Sequence, residues 1–247
     1  MKQDYFSKRV SVRNYSDKII PESQLTSIIE RAMRAPTCGN MQLYSVILTK
    51  DQEKKQRLAE LHFNQPAATG CDTILTICAD FNRFSKWCKA SDAEPCYSNF
   101  HSFIMAMTDA VIFTQQIVTI AEQEGIGTCY LGTVNYNANE ISDLLDLPRL
   151  VVPVASLSLG FPASLEAQPE RLPVNAIIHK EKYVDYDEKR VTELFKVKDE
   201  NPENIHFIKE NGKKTLAQVF TDIRYPKNTN ESVSESFHRL LDNKGFI

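Results

Sequence analysis

Helical and strand patterns alternate along this chain, and an α/β layout is therefore the first expectation. Three β-branched, apolar runs carry it: LYSVILT (43–49), DTILTICADF (72–81) and VVPVASLSLGFP (151–162). Between them lie segments whose apolar residues recur at helical spacing.

The elements follow in order. From Pro21 the residues Leu25, Ile28, Ile29, Ala32 and Met33 keep the i, i+3, i+4 rhythm, with proline suited to the first turn and Glu22 near the positive helix end. That helix should run to about Arg34. RAPTCGNMQ (34–42) then brings a proline, a glycine and an asparagine together and predicts an irregular loop before the first strand. DQEKKQRLAELHF (51–63) reads as a charged surface helix and DTILTICADF as a second buried strand.

From Ser98 to Glu124 the apolar residues Phe103, Ile104, Met107, Ala110, Val111, Phe113, Ile117, Val118 and Ala121 cover more than one helix face. Such a helix is buried on two sides, as a central helix or a subunit interface. GIGTCYLGT (125–133) predicts a short strand, NANEISDLLDL (137–147) an amphipathic helix closed by Pro148, and VVPVASLSLGFP a strand turning at 160–162. From about Asp185 the chain becomes polar, with KVKDENPENIHFIKENGKK (196–214) as a connecting stretch and helices near 214–224 and 231–244, the last closing at Gly245. The expected division is a core over 1–184 and a C-terminal extension over 185–247.

Bulk properties narrow the function. With 247 residues, 42% of them hydrophobic, the chain can bury a substantial core. Its 29 Lys+Arg against 32 Asp+Glu leave no basic excess for a nucleic-acid backbone. The start MKQDYFSKRV has no apolar leader pattern, and no uninterrupted apolar run approaches the ~20 residues of a membrane helix, so a cytoplasmic protein is expected. The six cysteines lack metal-ligand spacing and read mostly as buried free thiols; no metal site is expected.

Candidate chemistry starts at RVSVRNY (9–15). In an extended segment Val10 and Val12 can face the core while Arg9, Ser11 and Arg13 line the other side. Two guanidinium forks and a hydroxyl suit a phosphate monoester, although an ordinary strand with a solvated side has the same pattern. The loop at 34–42 offers Thr37, Cys38, Asn40 and backbone amides, and YLGT offers Tyr130, Leu131, Gly132 and Thr133 at a strand end where a glycine permits close approach. Dinucleotide, P-loop, serine-hydrolase and zincin motifs are missing, and no catalytic acid–base group stands out.

The ordered set R-x-S-x-R-x-Y, APTCGNMQ, GIGTCYLGT and SLGFPA…RLP, together with ADFNR (79–83) and SFHRLLDNKGF (236–246), resembles the nitroreductase family of FMN-dependent oxidoreductases. The likeness is closest to its larger members, the oxygen-insensitive nitroreductases and flavin reductases that prefer NADPH, and it spans essentially the whole chain. It implies an α+β, three-layer fold in which helices flank a central mixed or antiparallel sheet, built as an intertwined homodimer. It also implies that Arg9, Val10, Ser11, Arg13 and Arg171 bind FMN through its phosphate, ribityl chain or polar ring edge. By the same resemblance Thr37, Cys38 and Asn40 reach the flavin from the partner subunit, Gln65 contacts the ring or the chain, and Tyr130, Leu131, Gly132 and Thr133 pass beside the ring.

The activity so implied is ping-pong hydride transfer from NADPH or NADH, through FMN, to a nitroaromatic, quinone or flavin, with no catalytic side chain because the cofactor carries the chemistry. The alternatives are a flavin reductase serving a partner, an FMN-dependent dehydrogenase of a small metabolite, or a non-catalytic FMN-binding protein. Two departures mark the resemblance: Arg9-Val10-Ser11 stands where the close subgroup usually has His-Arg-Ser, and Pro169 where it has lysine.

Overall fold

The computed structural model describes residues 4–247; Met1, Lys2 and Gln3, the start of the stretch read above as lacking a leader, lie outside them. The elements in chain order are α1 (Tyr5–Lys8), α2 (Glu22–Ala32), β1 (Tyr44–Thr49), α3 (Gln52–Leu61), α4 (Pro66–Thr69), β2 (Thr73–Asp80), α5 (Asn82–Ala90) and α6 (Phe100–Gln123). There follow β3 (Gly127–Tyr130), α7 (Ala138–Leu144), β4 (Val151–Gly160), α8 (Glu188–Asp199), α9 (Pro202–Glu210), α10 (Leu216–Val219) and α11 (Lys227–Lys244).

All pairings in the four-stranded sheet are antiparallel, in the order β1-β2-β4-β3. The α+β class holds, whereas the α/β alternation does not produce parallel strands. Every residue of β2 is buried, because both faces of this sheet are covered. Leu75 and Ile77 pack with Ile28 of α2 and with Phe113 and Ile117 of α6, and the Tyr44 ring stacks on Phe113 at 4.2 Å. On the opposite face, Ile74 packs with Leu58 and Ala59 of α3, Ala67 and Ala68 of α4 and Ile141 of α7. A helix–sheet–helix sandwich follows from this period-two division.

Pro153 cannot donate to a ladder, and the β2–β4 register slips beside it: Ile77 pairs with Ala155 but Cys78 with Pro153. At the C-terminus, Gly245 takes a left-handed φ of 77° and the Phe246 N–H reaches back to Leu241 O, ending α11 where the sequence places its stop. Among the described residues α6 alone is long and apolar enough to cross a membrane, and half of that apolar stretch is buried inside the protein.

The chain divides into two compact units, one running to Glu166 and rejoined by Val233–Ile247, the other Ala167–Ser232. The compositional change at 185 thus falls inside the second unit. The stretch 196–214, expected to be a connection, is mostly helical in α8 and α9. Asp187 and Asn201 cap those helices by accepting from the N–H groups of Arg190 and Glu203. Helix α5 and the short α1 and α4 were not expected.

Candidate functional site

The 9–15 segment is extended and clamped against β3. Val12 N–H donates to Thr128 O at 2.9 Å, and the Tyr15 hydroxyl donates back to Val12 O at 2.7 Å. Gly127 makes this approach possible: a Cβ there would lie 2.7 Å from Val12 Cβ. Val12 is buried as expected, while Val10 is half-buried. Arg13 is exposed, and its guanidinium has no hydrogen bond or ion pair among the described residues. Its charge opposes the burial that raises the Cys129 thiol.

Arg9 is placed differently. Its Nη2 lies 3.1 Å from Glu122 Oε1, and Glu122 also accepts from the Tyr5 and Thr128 hydroxyls, each at 2.6 Å. The positive charge of Arg9 is thereby compensated within the chain, and with Val10 the residue lines a cavity of about 340 Å³. Ser11, half-buried, lies between the inward Arg9 and the open Arg13.

A second group forms where α3 turns into α4. Phe63 and Asn64 both take left-handed φ values, 58° and 50°, and deliver Gln65 as the residue preceding α4. Gln65 Nε2 donates to His62 O at 3.0 Å and to Thr133 Oγ1 at 3.1 Å. His62 is fully buried, and its Nδ1 lies 2.8 Å from the same Thr133 oxygen. Desolvation pushes its pKa down to about 4. Leu131 is buried and held by its N–H on Ser156 O at 2.9 Å; Tyr130 is exposed, and at Gly132 a Cβ would meet nothing within 4 Å. Val12, Ala67, Ala68 and Leu131 belong to one apolar cluster, which sets this group and the 9–13 segment on one side of the sheet.

The loop carrying Thr37, Cys38 and Asn40 is organised by Asp109, a buried carboxylate midway along α6. Asp109 accepts from the Thr37 hydroxyl, from Cys38 N–H at 2.9 Å and from Leu43 N–H at 3.3 Å. Thr37 Oγ1 in turn accepts from Gln42 N–H at 2.8 Å. Gly39, Asn40 and Gln42 all have φ near 55°, a tight reversal that leaves Cys38 and Asn40 exposed. No hydrogen bond or ion pair among the described residues links this loop to Arg13, Gln65 or Thr133. Arg171 lies in the second unit, donating to Pro169 O and Glu170 O at 3.2 and 3.0 Å. There Lys198, Asn201 and Asn204 all donate to Glu170, whose pKa falls to about 2, chiefly through Lys198.

Three residues of these arrangements were not singled out from the sequence: Asp109, Glu122 and His62. For Asp109 a signal exists, since it is the sole acidic residue in the apolar run IMAMTDAVIF. His62 gives none, because a histidine at a helix end is equally at home in solvent. No cluster of metal-ligating side chains occurs among the described residues.

The donor set fits FMN. An open guanidinium and a hydroxyl on one extended segment suit a phosphate, and the Gln65–Thr133 pair beside unobstructed space at Gly132 suits the edge of a flat, polar heterocycle.

Comparison with known proteins agrees with this chemistry. The chain is 32% identical over 253 residues to an FMN reductase [NAD(P)H] of Bacillus subtilis (strain 168), covering 96% of this chain and 94% of that one. A crystal structure from Bacteroides fragilis NCTC 9343 superposes with a TM-score of 0.96 at 45% identity, covering 98% of each chain. The structure of B. megaterium NfrA2 does so with a TM-score of 0.83 at 29% identity, covering 98% of this chain and 96% of the other. Residues 6–161, from α1 through the last strand, match the model of the nitroreductase family, and the chain belongs to that family.

Proposed function

We propose that this chain is an FMN-dependent NAD(P)H oxidoreductase that reduces small acceptors such as nitroaromatics, quinones or flavins. The observation that carries it is the exposed Arg13 beside Ser11, on a segment fixed to β3 and on the same side of the sheet as Gln65 and Thr133. When bound, FMN supplies the hydride chemistry, accepting from the nicotinamide and passing on to the acceptor. The chain's own residues bind and orient. Arg13 and Ser11 hold the phosphate; Gln65 and Thr133 address the ring edge; Gly132 leaves that edge approachable. Arg9 acts chiefly through Glu122, fixing the start of the segment.

In this reading the loop of Thr37, Cys38 and Asn40 serves the flavin of a partner subunit. The outer face of α6 supports a homodimer: Ile104, Val111 and Ile112 are 37%, 46% and 39% exposed on a helix whose opposite side packs into the core. A second copy of the chain is the occupant proposed for that face, and a cytoplasmic location goes with the reading.

The purified protein should be yellow, and its visible flavin band should bleach anaerobically on adding NADPH. A colourless protein that takes up no added FMN sinks the cofactor assignment. Arg13→Ala should weaken FMN binding by about 1.5–3 kcal/mol through loss of a charge-assisted contact, read as the dissociation constant in a fluorescence titration. An unchanged constant removes Arg13 from the site. Sedimentation should give a dimer, and Val111→Glu, which sets a charge on the exposed face, should shift it toward monomer.

A further inference from the structure

The buried His62 has a function that the FMN reading alone does not give it. Gln65 has its amide orientation fixed by chemistry: the atom 3.0 Å from the His62 carbonyl has to be nitrogen, since a carbonyl oxygen only accepts. The same nitrogen donates to Thr133 Oγ1. The Gln65 side-chain oxygen is left as an acceptor with no partner among the described residues.

The His62 tautomer follows from the other ring nitrogen. Nε2 is buried and has no hydrogen-bond partner among the described residues. Were Nε2 protonated, a buried N–H would be orphaned; with the proton on Nδ1, only an acceptor lone pair is. Buried orphan donors are the rarer case, so Nδ1–H donates to Thr133 Oγ1 across the 2.8 Å contact. Thr133 then accepts twice, from His62 and from Gln65, and its own hydroxyl proton is free to point at a ligand.

The surrounding turn is held as firmly as the ring. Asn137 Nδ2 donates to Leu61 O, and the Phe63 ring meets Tyr136 edge-on at 5.9 Å. Two successive non-glycine residues with left-handed φ persist only where their surroundings over-determine them, and these contacts to 133–137 do so.

We infer that His62 is a positioning residue: by donating from Nδ1 to Thr133 it sets an outward pair, the Thr133 O–H donor and the Gln65 C=O acceptor, that complements an amide-like N–H/C=O edge of a heterocycle. This inference rests on the FMN reading, in which that edge belongs to the flavin. Neither residue transfers a proton in the reaction; the pair selects and orients the ring.

The test is FMN titration of the apoprotein, with the visible spectrum of the bound flavin as a second readout. His62→Leu should raise the dissociation constant about tenfold and shift the bound-flavin band. His62→Asn, whose side-chain amide can place a donor near the Nδ1 position, should restore both. The effects of His62→Leu and Gln65→Ala should be non-additive, because the two act on one contact. Thr133→Val removes the shared oxygen at a half-exposed position and reports on the same pair should His62→Leu fail to fold. Additive effects, or wild-type affinity and spectrum in both His62→Leu and Thr133→Val, overturn the inference while FMN binding by the parent protein stands. A parent protein that binds no FMN overturns the functional reading and this inference with it.

Discussion

Asp109→Ala is expected to lower stability by about 3–5 kcal/mol and to release the loop that carries Thr37, Cys38 and Asn40. The carboxylate is 3% exposed and accepts from three donors, two of them backbone N–H groups. Truncation leaves those donors facing a cavity, and each unsatisfied buried donor costs about 1–3 kcal/mol, with bonds to a charged acceptor at the upper end. Asp109→Asn retains one acceptor oxygen and should lose roughly half as much. Urea unfolding reads the total. Amide hydrogen exchange locates it, because protection at Cys38 and Leu43 should fall while the amides of β2 stay protected. Loop amides that keep their protection in Asp109→Ala would show that the reversal through Gly39, Asn40 and Gln42 holds without α6.

The reach of Asp109 across 66 to 72 residues of sequence explains why it escaped the sequence reading although its neighbours did not. Local features were legible: Pro21 and Glu22 announce α2, Gly245 stops α11, and the loop at 34–42 is irregular where a proline, a glycine and an asparagine cluster. The strand direction was not. TILTICAD carries apolar residues on both of its sides and is buried along its whole length, as strands covered on both faces are. Parallel sheets commonly produce this pattern, but helices on both faces of an antiparallel sheet produce it equally.

The 196–214 stretch failed for a related reason. Its polar composition describes an exposed surface, and α8 and α9 are exposed helices whose caps at Asp187 and Asn201 were the better signal. Spacing placed Arg9, Ser11 and Arg13 on one side of a segment, yet it could not show that Glu122, far along the chain, draws Arg9 inward. The family resemblance recovered the order of the motifs. The internal partners of each residue come only from the fold.

Stability should fall as the pH drops below neutrality, and His62 should account for a separable part of the fall. Burial holds its pKa at about 4 in the folded chain, against the ordinary 6.5 of an exposed imidazole. Between those values the unfolded chain binds the proton and the folded chain does not, so stability rises with pH across this window. The contribution is complete above pH 6.5 and is lost as the pH falls toward 4. Over the whole window it is on the order of 3 kcal/mol, and between pH 7 and pH 5 it is roughly 2 kcal/mol. Glu170 works in a lower window. Lys198 and its neighbours hold its carboxyl at about 2 against an ordinary 4.5, so its contribution is present above 4.5 and disappears only as the pH falls toward 2. Measurements between pH 5 and pH 7 therefore separate the two. Urea unfolding of the parent protein and of His62→Asn at those two values should differ in slope by the histidine contribution, with the variant the flatter. Parallel slopes would mean that the His62 ring reaches solvent when protonated, and that the contact from Nδ1 to Thr133 is not firm enough to keep the imidazole neutral.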